Sequence, residues 1–195
     1  MAPLSREWCA FTARNDANTN YSIRDAEVKD LKAVYDMIYS LAVYEKSEDQ
    51  VKLSYETFAE DSGLSEDSST PVREQRFQSI VASDTDTHSV VAYALFFYTY
   101  STWEGRALYL EDLFVTEEAR GSGLGLKMMQ ALAKVAVENG CQRFQWQCLD
   151  WNKPSLDFYF NRLKAFERVE DDGAKWINVM MKRSRMEDLA KEADA

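Results

Sequence analysis

From Val28 to Tyr44 the apolar side chains fall at Leu31, Val34, Tyr35, Ile38, Leu41 and Ala42, the spacing of one helix face. The same period returns at Leu124, Met128, Ala131, Leu132 and Val135. It predicts a helix from about Gly123 to Glu138, stopped by Asn139-Gly140. Shorter helices are predicted over 55–61 and 153–163, the second with Pro154 in its first turn, where a missing N–H is tolerated. Runs rich in β-branched and aromatic residues predict strands at 21–23, 77–82, 90–100, 107–115 and 143–149. Two more, at 165–169 and 176–181, would close the sheet. The tail from Met186 reads as a frayed helix. This order is mixed α/β, with a long meander of strands ahead of the second long helix.

A chain of 195 residues suits one well-buried core. The polar stretch NDANTN, 15–20, sets the expected start of the folded domain near Tyr21. The reading is therefore a flexible extension over 1–20, one domain over 21–182 and a tail over 183–195. The acidic segment EDSGLSEDSST, 60–70, is a loop, read either as solvated or as carrying phosphorylatable serines. No apolar run reaches the roughly 18–20 residues of a membrane helix. The first twenty residues lack an apolar signal core and carry Glu7 and Asp16, while Arg6 and Arg14 leave a mitochondrial presequence as the alternative. The expectation is a cytoplasmic protein that does not engage membranes.

A formal charge of −10 disfavours binding to nucleic acid phosphates. It suits either a cationic substrate or plain solubility. Three cysteines, Cys9, Cys141 and Cys148, cannot all pair within one chain and fit buried thiols in a reducing compartment. One histidine, His88, and no CxxC pair leave no recognisable metal site.

The chemistry gathers where the strand LYLEDLFV meets the turn Arg120-Gly-Ser-Gly123-Leu-Gly125. Spacing excludes two familiar glycine motifs. A dinucleotide fingerprint counted from Gly121 needs glycine or alanine at Leu126, and a P-loop needs Gly-Lys at Leu126-Lys127 and a hydroxyl at Met128. Glycines between a strand and a helix let backbone amides converge on an anion at the positive end of the helix dipole. The turn alone is equally compatible with tight packing for its own sake.

The wider pattern resembles the GNAT superfamily of N-acetyltransferases. Arg120-x-x-Gly123-x-Gly125 is similar to its acetyl-CoA pyrophosphate loop, and Trp151-Asn-Lys-Pro-Ser155-x-x-Phe158-Tyr159 to its later signature. Leu41-Ala-Val-Tyr44-Glu45, Tyr98-Thr-Tyr-Ser-Thr-Trp103 and Leu108-Tyr-Leu-Glu-Asp112 resemble the spermidine/spermine branch, over roughly 21–181. The resemblance implies the GNAT acyltransferase fold, a central mixed, mostly antiparallel sheet splayed at a β-bulge and flanked by helices. The bulge is expected close to Asp112. It also implies transfer of an acetyl group from acetyl-CoA to a primary amine by direct attack in a ternary complex, without a metal. Leu113, Phe114 and Val115 would meet the pantetheine arm and acetyl carbonyl. Arg120, Gly121, Ser122, Gly123, Leu124, Gly125 and Leu126 would hold the pyrophosphate. Asn152 and Ser155 are further cofactor contacts, Ser155 being alternatively a helix cap.

An amine of pKa near 10.4 is neutral in only about one molecule in 10³ at pH 7, so a base is needed. The resemblance points to Glu111, with partial burial expected to raise its pKa. A strand acid paired with a cation is the other reading. Tyr159 would protonate the leaving thiolate while touching the cofactor, its alternative role being packing. Tyr44, Glu45, Trp103, Glu111 and Asp112 match positions on the substrate side of the branch, acids for a cation and rings for its methylenes. Ser101 stands where polyamine-acetylating members often carry an acid, and 170–176 has extra residues. Both leave room for a short diamine or a lysine-like amino acid such as thialysine. Lys164-Ala165 replaces the branch's usual Gly-Ala and is expected to alter a helix exit. The resemblance further implies a homodimer in which both subunits border each site. A protein-modifying acetyltransferase and a non-catalytic CoA-binding module are the alternatives.

Overall fold

The structure, a computed structural model, describes residues 6–13, 19–65, 74–169 and 172–192. The acidic loop beyond residue 65, the polar stretch at 14–18 and the turn at 170–171 lie outside the described residues. Two compact units divide the chain, Met1–Gln147 and Cys148–Ala195.

In the first unit a six-stranded sheet follows chain order, β1 (Glu7–Thr12), β2 (Asn20–Asp25), β3 (Gln78–Asp84), β4 (Val90–Ser101), β5 (Gly105–Val115) and β6 (Arg143–Trp146). Neighbours pair antiparallel from β1 to β5, and β5 with β6 is parallel. The parallel pair requires a crossover, supplied by α3 (Leu124–Glu138). Helix α1 (Leu31–Tyr44) buries Leu31, Val34 and Met37 against Val81, Tyr93, Leu95 and Phe114 of the sheet, with Phe58 of α2 (Tyr55–Asp61). That is the face the helical spacing predicted. The entry to α1 is fixed by Asp30, which is buried and takes two bonds from Arg24, at 2.6 and 2.9 Å, and one from the Glu27 amide.

The first strand comes earlier than the sequence reading placed it. Glu7–Thr12 pairs with β2 within the stretch expected to be a flexible extension. The Trp8 indole N–H donates to Asp25 at 2.6 Å, and Arg6 bridges to Glu138 at the end of α3. These long-range partners decide the strand, and no local pattern announces them.

In the second unit α4 (Lys153–Asp157) runs into a π-helical turn over Phe158–Arg162, where one helix over 153–163 was expected. α5 (Arg183–Glu192) is the helix predicted in the tail, begun a few residues early. The strands expected at 165–169 and 176–181 do not form. Among the described residues only a single antiparallel bridge, Val169 with Lys175, marks them. Their apolar pattern is right for a strand, but a strand is made by a partner. The three cysteines are free and half-buried, where buried thiols were expected. No helix among the described residues is long and apolar enough to cross a membrane.

Candidate active site

The register between β4 and β5 slips by one residue at the carboxylates. Leu110 stands opposite Phe96 and Asp112 opposite Leu95, which leaves Glu111 as the extra residue. This is the bulge expected near Asp112. Pairing of β5 with β6 ends at the same point, with Leu110 opposite Trp146. From Glu111 to Val115 the described chain has a strand neighbour on the β4 side alone. The sheet is splayed there, and backbone groups of β5 are left for something other than the ladder.

The bulge separates the two acids in environment. Glu111 is exposed, so the partial burial expected of it falls instead on its neighbour. Asp112 is largely sunk beneath the end of α1, and burial raises its carboxyl to about 6. A hydrogen bond from the Tyr93 hydroxyl, 3.0 Å from Oδ2, works against that rise, while Glu111 and Glu45 add to it. Burial also raises Glu45, just beyond α1, and pushes the phenol of Tyr93 well above its ordinary value. Among the described residues no cation pairs with either Glu111 or Asp112. The alternative of a strand acid in a structural ion pair therefore loses its partner. Tyr93 was missed from sequence because it sits in an apolar strand and reads as core. Only the register, which sets it beside Asp112 across the ladder, reveals its polar end.

After β5 a short 3₁₀ turn, Glu117–Ala119, leads into the glycines. Gly123 has φ +87° at the N-cap of α3, a left-handed conformation that disfavours any side chain. Space beside Gly121, Gly123 and Gly125 is open to 4 Å, so nothing crowds the first-turn amides of the helix. Ser122 stiffens the turn, its hydroxyl donating to the Ala119 carbonyl at 2.6 Å and accepting from the Leu124 amide at 3.3 Å. An open, side-chain-free cradle at the start of a 15-residue helix fits a pyrophosphate. Arg120 does more than add a cation. Its Nε donates to the Val115 carbonyl at 3.0 Å, and its guanidinium lies 5.3 Å from the Tyr44 ring and 5.5 Å from that of Phe114. It ties the turn to the end of α1, where Tyr44 and Glu45 stand.

The first unit thus brings together Tyr44, Glu45, Asp112, Phe114 and Arg120, with Glu111 and the glycines adjoining. It does not bring Trp103. That ring is exposed on the β4–β5 hairpin, and the six steps from Gly105 to Glu111 span roughly 20 Å of strand. Ser101 accepts from the amides of Trp103 and Glu104, both at 3.2 Å, and so closes the hairpin.

Asn152, Ser155 and Tyr159 belong to the second unit. Asn152, not Ser155, is the helix cap, its Oδ1 accepting from the Ser155 amide at 3.4 Å. Tyr159 is half-buried in the π-helical turn, its ring 5.5 Å from Phe158. Such turns recur at functional positions because they re-aim side chains. Lys164 closes the segment with φ +59°, a helix exit that glycine would take more readily.

Residues 34–163 match the profile of the acetyltransferase (GNAT) family. A thialysine N-epsilon-acetyltransferase of Bos taurus is 37% identical over 170 residues, covering 86% of this chain and 96% of its own. Its counterpart in Mus musculus is 35% identical with the same coverage. The spermidine/spermine N(1)-acetyltransferase-like protein 1 of Homo sapiens is 28% identical over 88% of this chain and 24% of its own. Among solved structures, an integron cassette protein from V. cholerae aligns with TM-score 0.62 at 23% identity, covering 88% of this chain and 98% of that one. At that identity the likeness is one of fold.

Proposed function

The chain belongs to the acetyltransferase (GNAT) family, and on that premise we propose that it acetylates the primary amine of a small cation from acetyl-CoA. The substrate class is a lysine-like amino acid such as thialysine, or a short diamine. The observation that carries this reading is the bulge at Glu111, where two carboxylates without a cation stand beside an open glycine turn. Relatives whose names specify thialysine, matched over nearly their whole length, support the substrate class. So does Ser101, whose hydroxyl serves the hairpin rather than supplying a charge for a long polyamine.

When bound, acetyl-CoA supplies an activated acyl group. The amides opening α3, with Arg120 through Leu126, would hold its pyrophosphate, and the freed edge of Leu113, Phe114 and Val115 would meet the pantetheine arm and the acetyl carbonyl. Glu45, Glu111 and Asp112 draw the ammonium, and Tyr44 packs its methylenes. One proton passes from nitrogen to the carboxylate pair at the bulge, which makes the amine nucleophilic. Tyr159 holds a phenol proton for the departing sulfur. Asn152 contributes by fixing the start of the helix that carries Tyr159. The placement of Trp103, far along the strand from Glu111, supports a homodimer in which the partner's hairpin completes the amine site. Three free thiols support a cytoplasmic location.

The test is release of CoA thiol from acetyl-CoA against thialysine, lysine, putrescine, spermidine and spermine across pH 6–10. Clear preference for one small amine, with rate rising with pH, is the expected result. Acetyl-CoA binding with every amine inert would overturn it.

A further inference from the structure

We infer that Asp112, not Glu111, takes the proton from the incoming ammonium, and that Tyr93 is the positioning residue that holds it ready to do so. This rests on the acetyl-transfer reading above. The geometry separates the two acids by what touches them. Tyr93 is fully buried on β4, and its hydroxyl fixes Oδ2 of Asp112 at 3.0 Å. Oδ1 has no hydrogen-bond partner among the described residues, and it is not among the sealed polar atoms left unsatisfied, so it meets solvent. One oxygen is held and the other is available. Glu111 is exposed, with no described hydrogen bond or ion pair to fix its carboxylate.

A useful base must be ionised at working pH and still hold a proton with some strength. Burial lifts Asp112 to about 6, which brings it towards that compromise. The groups that face it are Tyr93 from β4, Glu111 from β5 and Glu45 from the end of α1. Of these only Tyr93 favours the ionised form. In the step, an N–H bond of the ammonium breaks with its electron pair left on nitrogen, and an O–H bond forms at Oδ1. The freed pair then forms the C–N bond as the C–S bond of the thioester breaks. Nitrogen's second proton replaces the one given to sulfur, and Asp112 returns its own to solvent. One proton is released per turnover.

The experiment compares pH profiles of kcat/KM for wild type, Asp112→Asn, Glu111→Gln and Tyr93→Phe, with a melting curve for each. Asp112→Asn should lower kcat by about 10²–10³-fold and abolish the acid limb. Glu111→Gln should raise KM while keeping that limb. Tyr93→Phe should move the limb to higher pH by about one unit, the size of one lost hydrogen bond to a carboxylate. A purely structural Tyr93 would lower the melting temperature and leave the limb where it was, which would overturn its positioning role. If Glu111→Gln removes the limb and Asp112→Asn keeps it, the base assignment falls while acetyl transfer stands. An inactive wild type would instead count against acetyl transfer itself.

Discussion

The two units of this chain spend their apolar residues differently. In Met1–Gln147 the aromatic and aliphatic side chains are buried, Tyr93, Phe58 and Ile23 almost completely. In Cys148–Ala195 the one buried residue among those described is Asn152, a polar cap. Phe166, Ile177, Val179 and Met180 are each more than four-fifths exposed. A side chain's hydrophobicity stabilises a fold only where surface is removed from water. The contrast therefore separates a unit held by its core from one held by local hydrogen bonds.

The largest effect should come from testing that contrast directly. Phe58→Ala is expected to destabilise by about 3–5 kcal/mol in denaturant melts, and Phe166→Ala by less than about 0.5 kcal/mol. Equal losses would mean that the second unit has a core in solution. Next is the buried carboxyl. Its folded pKa, about 6, lies above the ordinary 3.8, so folding favours the protonated form. That stability is fully present below the unfolded value and is lost as pH rises through about 6. Asp112→Asn should thus gain up to about 3 kcal/mol over wild type at pH 7, with the gap closing below about pH 4. A pH-independent difference would show that burial is not what perturbs this acid. The smallest effect belongs to the second unit. Lys164→Gly removes a left-handed lysine and should stabilise by about 1 kcal/mol or less, read from hydrogen exchange around 158–165.

Much of the first unit was legible from the sequence because periodicity and burial report the same thing there. Both long helices, α2 and the strands from Tyr21 to Val115 fall close to where their patterns put them. The glycine turn was legible from its motif, and the bulge from the family resemblance. What escaped depends on partners distant in sequence. Glu7–Thr12 becomes a strand through β2 and Asp25. Residues 176–181 have the pattern of a strand and no described ladder to join. The site was legible in its residue types but not in its division of labour. Burial was expected at Glu111 and is found at Asp112, because strand alternation cannot be counted through a bulge.

That slip has a numerical consequence. Residues directly opposite across an antiparallel pair share a face, and faces alternate with every step. Up to Leu110 the partners' numbers add to 206, as for Leu110 with Phe96, and from Asp112 to Val115 they add to 207, as for Asp112 with Leu95. On the first count Asp112 would lie opposite Ala94, turned away from Tyr93 and the end of α1. On the second it shares their side. One inserted residue thus acts as a parity bit for the strand, and deleting Glu111 would do more than remove a charge. It would merge the two counts into one regular ladder with Asp112 still opposite Leu95, and so take away the splay itself, a change that no substitution at either position can imitate.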